Sequence, residues 1–104
     1  MKVDSLNQPL KNFDGNAIKD DKDVEFTYKI GLLNCLGSIK AADGKESVQV
    51  WKLGVALAGA ENGDIVITAE ELLLLKKGVE QNNPGYFPVV QGQLFEYLEA
   101  QNVK

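Results

Sequence analysis

This chain of 104 residues contains no histidine and no arginine, and all 11 of its basic side chains are lysines. Without histidine it lacks the usual acid–base catalyst and the commonest metal ligand. Without arginine it lacks the planar fork that grips carboxylate or phosphate with two parallel hydrogen bonds. Cys35 is the only cysteine, so no disulfide can form within the chain. It stands among Ile30, Leu32, Leu33 and Leu36 and reads as a small buried core residue. A nucleophilic role would need a histidine base, which the chain does not supply.

Long apolar runs are missing too. Leu72 to Leu75 is closely followed by Lys76 and Lys77, far short of the length a membrane span needs. Met1 to Leu6 lacks the apolar core of a signal peptide, so an intracellular, cytoplasmic location is expected. The net charge of −4 repels nucleic acid at long range, and no basic stripe or base-stacking motif offsets it. Neither nucleic acid nor membrane is an expected partner, and no cofactor is expected.

What is present describes an ordinary globular domain. The hydrophobic share of 44% and the charged share of 25% are average values, and the length suits one domain with one core. Residues 1–20 read as a β-hairpin. Asp14-Gly15-Asn16 supplies its turn, Pro9 keeps the strand short or at an edge, and Leu10, Phe13 and Ile18 would lie on the helices. Val24, Tyr28, Leu32, Cys35, Leu36 and Ile39 recur at helical spacing, predicting a helix over 24–40. The strand formers Phe26-Thr27-Tyr28 oppose that reading, and Gly37 could end the helix early.

A second helix is expected over 46–59. Val48, Trp51, Val55 and Ala58 form one of its faces, with Val50, Leu53 and Leu57 beside them. Trp51, the largest apolar side chain, should anchor the core with its indole N–H directed at a partner or the rim. Ile65-Val66-Ile67 reads as an extended lead-in, or a strand beside the hairpin. Thr68 with Glu71 makes a capping box for a helix over 69–81. Pro88 suits the first turn of a last helix over 88–99, with Val90, Leu94 and Leu98 inward and the residues from Ala100 fraying. No internal repeat or low-complexity tract is visible.

Candidate sites are few. Asp14 to Glu25 places Asp14, Asn16 and Glu25 at the first, third and twelfth places of a calcium loop. Ile18 then replaces an oxygen ligand and Lys19 the turn glycine, so a solvated acidic turn is the simpler reading. Gly44-Lys45 lacks the upstream glycine of a phosphate loop, and Glu46 replaces its hydroxyl. Glu70/Glu71 and Glu96/Glu99 read as helix-start and outer-face carboxylates without the burial that catalysis demands. Four leucines in succession exceed what one helix face can bury. Tyr86-Phe87, between Gly85 and Pro88, is either a partner-binding pair or, the favoured reading, a staple in which Phe87 packs on the following helix.

Phe13-Asp14-Gly15-Asn16-Ala17-Ile18, Ile65 to Glu71, and Pro88-Val89-Val90 running on to Leu98 together resemble a loose set of small phage and prophage proteins. The resemblance implies a hairpin, a central helical pair, a capped helix and a proline-started last helix. It brings no catalytic or binding residue with it. The expected fold is mainly α (α+β): four helices, an N-terminal hairpin and one further short strand. The expected function is a non-enzymatic phage or prophage accessory protein, in virion assembly or as a host-directed inhibitor. It would meet a protein partner, or itself, through Leu72, Leu73, Leu75, Tyr86 and Phe87. The alternative is a small metal- or ligand-binding module using the acidic turn Asp14–Glu25.

Overall fold

The computed structural model describes residues 2–101. In chain order these form β1 (Lys2–Val3), α1 (Tyr28–Gly37), α2 (Gly44–Ala58), β2 (Ile65–Val66), α3 (Ala69–Gln81) and α4 (Pro88–Gln101). The fold is mainly helical with a small strand component. α1 packs against α2, α3 and α4, which explains why Lys29 is its only charged residue. A helix with three helical neighbours has little solvent face to spend on polar groups.

The core is built largely from leucines: Leu6 and Leu10 ahead of the helices, Leu32 and Leu36 on α1, Leu53 and Leu57 on α2, Leu72 and Leu75 on α3, Leu94 and Leu98 on α4. Each contributes on the order of 1.5–3 kcal/mol by leaving water. Cys35 is buried among them as expected, and burial pushes its thiol pKa up.

The N-terminal region departs from a simple hairpin. β1 pairs antiparallel with β2, Lys2 opposite Val66 and Val3 opposite Ile65, so the third strand lies beside the first residues of the chain. The Asp14-Gly15 turn does form, with Gly15 at φ 86° and Lys11 bridged to Ala17. A second turn then follows at Asp20–Asp23 and bridges Lys19 to Glu25. The expected helix over 24–40 is therefore shorter by four residues at the front. Phe26 and Thr27 stay extended: the Phe26 amide donates to Ile18, and Pro9 bridges Thr27. Thr27 then caps α1, its hydroxyl accepting from the Ile30 amide at 3.3 Å. Gly37 does end α1. Val24, assigned to its inner face from spacing, is exposed instead.

The other helices fall close to expectation. α2 begins two residues early because Asp43 caps it, its carboxylate accepting from the Glu46 amide at 2.9 Å. α3 has the bounds read from its capping box, which is complete in both directions. Asn82, at φ 47°, takes the left-handed position that closes it. α4 begins at Pro88 and continues through Ala100 and Gln101, where fraying was expected; residues 102–104 lie outside the described residues.

Candidate interaction surface

Two aromatic side chains expected in the core, Phe13 and Trp51, lie at the surface instead. Phe13 is 94% exposed; it sits at the hairpin tip just before Asp14-Gly15, beside the start of α4 rather than under it. Trp51 is 71% exposed. The wide apolar arc of α2 explains this error. Leu53 and Leu57 take the core-facing side, and the adjoining stripe of Val48, Trp51 and Val55 faces out. An apolar arc that wide needs two partners, and within the chain α2 has its main neighbour in α1 alone.

Between that stripe and α1 lies a groove of about 440 Å³, lined by Leu33, Leu36, Val50, Trp51, Val55 and Ala58 among others. Its floor is low because Gly54 has no side chain: a Cβ there would meet nothing closer than Leu36 Cδ2 at 3.8 Å. On the α1 side Leu33 is only half-buried, and Ile30 is exposed one turn away. Besides the Trp51 indole N–H, Ser47 alone brings a polar group to the groove's lining, and its hydroxyl already donates to the Asp43 carbonyl at 3.2 Å. The surface can bury apolar groups and offers no converging polar atoms for acid–base or nucleophilic chemistry.

The residues nominated from sequence divide sharply. Leu72 and Leu75 are buried, at 1% and 2% exposure, and offer nothing to a partner. The surplus leucine is Leu73, which is 63% exposed on the outer face of α3. Tyr86 turns inward. Its ring meets Phe26 edge-on with centroids 5.6 Å apart, and its hydroxyl accepts from Asn34 Nδ2 at 2.7 Å. Asn82 ties the same loop down through two bonds of 2.9 Å to the Tyr86 backbone. Phe87, expected to staple the next helix, is 79% exposed; the loop is fastened through Tyr86 and Asn82 instead.

The acidic turn does not gather its carboxylates. Asp14 Oδ1 accepts from the Asn16 amide, and Asp20 Oδ1 accepts from the Lys22 and Val24 amides. These are local turn bonds, and no group of three or more acidic or cysteine side chains placed to hold a metal forms among the described residues. A smaller concavity of about 330 Å³ lies where Phe13 and Asn12 face Pro88, Val89 and Gln93. Gln93 bonds both the amide and the carbonyl of Lys11 there, so it fastens the hairpin to α4.

One carboxylate is perturbed. The hydrogen bond from Lys77, then the one from the Ala42 amide, holds Glu46 below the usual carboxylate range. This pair joins α2 to α3 and has a structural role. No helix among the described residues is long and apolar enough to cross a membrane. Comparison with protein-family models, with curated proteins and with solved structures finds no match for this chain.

Proposed function

We propose that this chain is a non-enzymatic interaction protein that receives a protein partner, rather than nucleic acid, in the groove between α1 and α2. The observation that carries the reading is Trp51: a tryptophan held 71% exposed in an apolar stripe beside a groove of about 440 Å³. Tryptophan is enriched at the centres of protein interfaces, where it supplies a large apolar area at low entropy cost. Leu73 is a lone exposed leucine that needs no such explanation, and Phe13 borders a smaller, more polar concavity beside Gln93. The phage or prophage setting, as assembly accessory or host-directed inhibitor, enters this proposal through the resemblance of the hairpin and helix-start motifs alone.

The test compares the wild-type chain with Trp51→Glu as bait in a bacterial lysate. A protein retained by the wild type and lost with Trp51→Glu, at equal thermal stability of the two baits, is the expected result. Identical capture by both would contradict the reading.

A further inference from the structure

Asn62 is the only asparagine of the chain that is followed by glycine. In such a pair no side chain shields the glycine nitrogen from the asparagine amide carbon, which makes the dipeptide chemically labile. Asn62 is exposed in the turn between α2 and β2, and its Oδ1 accepts from the Asp64 amide at a long 3.4 Å. Gly63 is buried and holds φ 84°. The amide side chain thus lies in water while the nitrogen that could attack it lies inside the fold.

That nitrogen is held in place. Gly63 N–H donates to the Ala60 carbonyl at 3.1 Å, and the Lys29 ammonium donates to the same carbonyl at 3.3 Å. The N-terminal segment clasps the turn as well. Leu6 N–H donates to the Gly63 carbonyl at 3.0 Å, and Asn7 Nδ2 donates to the Glu61 carbonyl, also at 3.0 Å. Asn7 lies so close that a Cβ on Gly63 would stand 3.1 Å from its Nδ2. The two anchoring carbonyls, of Glu61 and Gly63, bracket Asn62.

From this geometry we propose that Asn62 is a self-modification site gated by the N-terminal clasp: it converts to isoaspartate when the clasp opens, and the product keeps the clasp open. Once Gly63 N–H leaves the Ala60 carbonyl and gives its proton to solvent base, the nitrogen attacks Asn62 Cγ. The N–Cγ bond forms, the Cγ–Nδ2 bond breaks, and ammonia departs with a proton returned by solvent, leaving a five-membered succinimide. Water then opens the ring. Cleavage of the new N–Cγ bond gives aspartate with an ordinary backbone. Cleavage of the original peptide bond gives isoaspartate, whose main chain runs through the side-chain carbons and is one methylene longer. The extra methylene falls between the Glu61 and Gly63 carbonyls, so Leu6 and Asn7 no longer reach both. Val3, paired with Ile65 just beyond the turn, and Leu6 are buried in the core, so release of the clasp exposes apolar surface.

The test incubates the full chain beside a synthetic peptide copying residues 60–65 in mildly alkaline buffer. Peptide mass mapping that separates aspartate from isoaspartate follows both. Asn62 in the folded chain should convert at least about tenfold more slowly than in the peptide, by the factor that hydrogen exchange finds for protection of the Gly63 amide. Asn7→Ala should speed conversion in the folded chain at least about threefold. The isoaspartate form should lose exchange protection at the Leu6 amide, whereas Asn62→Asp, with the same charge and an ordinary backbone, should keep it.

Equal rates in chain and peptide, or a slowing that departs from the Gly63 protection factor by more than about tenfold, overturn the gate without recourse to any variant. An unchanged rate in Asn7→Ala overturns the clasp as its cause. No conversion in either folded chain after the peptide has fully converted overturns the site, and an isoaspartate form that still protects Leu6 overturns the release.

Discussion

The Leu10 amide donates to the Phe26 carbonyl at 2.8 Å, and this bond closes a ring. Phe26 N–H donates to Ile18, also at 2.8 Å, and Ile18 N–H donates to Leu10 at 2.9 Å. Three backbone segments, each eight residues from the next, thus satisfy one another without forming a regular sheet. Leu10 is fully buried while Ile18 and Phe26 pack against the core, so the junction sits on the helices by its apolar face. Leu10→Ala should cost about 2–5 kcal/mol. Phe13→Ala, three residues on at the exposed tip, should change stability by less than about 0.5 kcal/mol. Denaturant unfolding of both variants checks the contrast.

Two glycines on helices should respond oppositely to the same substitution. A Cβ on Gly78 would stand 3.2 Å from the Cys35 carbonyl oxygen, where α3 meets the backbone of α1 and no flexible side chain can give way. Gly78→Ala should therefore destabilise, by roughly 1 kcal/mol or more, as overpacking outweighs the gain in helix propensity. Gly92, on α4, has nothing within 4 Å of its would-be Cβ. Gly92→Ala should stabilise by about 0.5–1 kcal/mol. Thermal unfolding of the pair measures both signs.

Alkaline pH should destabilise the protein as its phenols titrate. Tyr28, Tyr86 and Tyr97 are the three tyrosines of the chain, and all have raised pKa values. Burial is the main cause for each. Glu96 adds to it at Tyr28, and Asp4 leads the added repulsion at Tyr97, while the Asn34 hydrogen bond works against it at Tyr86. Tyr28 and Tyr97 stack at 4.5 Å, and the Tyr97 hydroxyl donates to the Asp4 carbonyl. A raised folded-state pKa stabilises fully below the unfolded value of about 10 and loses that contribution as pH climbs above it. The melting temperature should therefore fall steadily above about pH 10. Phenols that ionise in the native state near pH 10, with no change in melting temperature, would contradict this.

The two sides of α2 should separate in mutation. Leu53→Ala, on the buried side, should cost about 2–5 kcal/mol, whereas Trp51→Ser should cost less than about 1 kcal/mol. If Trp51→Ser proved as damaging as Leu53→Ala in chemical denaturation, the tryptophan would be a core residue and the exposed stripe would not exist.

Helix starts were the most legible feature of the sequence, because caps act locally. Thr68 with Glu71 and Pro88 gave the beginnings of α3 and α4 without error, and the turn at Asp14-Gly15 formed where its residues demanded. The start of α1 was misplaced because periodicity from Val24 to Ile39 competed with the extended preference of Phe26-Thr27, and long-range bonds to Ile18 and Pro9 settled it. Such bonds leave no local trace. The ring of Leu10, Ile18 and Phe26 was missed for the same reason, although its eight-residue spacing was open to view.

The candidate surface was harder to read. Four leucines in succession correctly signalled a surplus, yet only Leu73 proved to be outside, and pattern alone could not say which. At Tyr86-Phe87 the hydroxyl of tyrosine was the useful signal, since it could satisfy Asn34 while the ring packed on Phe26. The wide arc of Val48, Trp51 and Val55 was visible from the start. Size alone sent Trp51 inward in that reading, although the same arc already called for a second partner.

Chemical-shift mapping of isotope-labelled protein against a synthetic amphipathic helix bearing a leucine stripe locates the docking face residue by residue. The expected result is a continuous set of perturbed amides along Leu33, Gly37 and Ser47 to Ala58, with Phe13, Leu73 and Phe87 unmoved. Perturbations centred on those three exposed residues, or absent around Trp51, would contradict the assignment of the groove between α1 and α2.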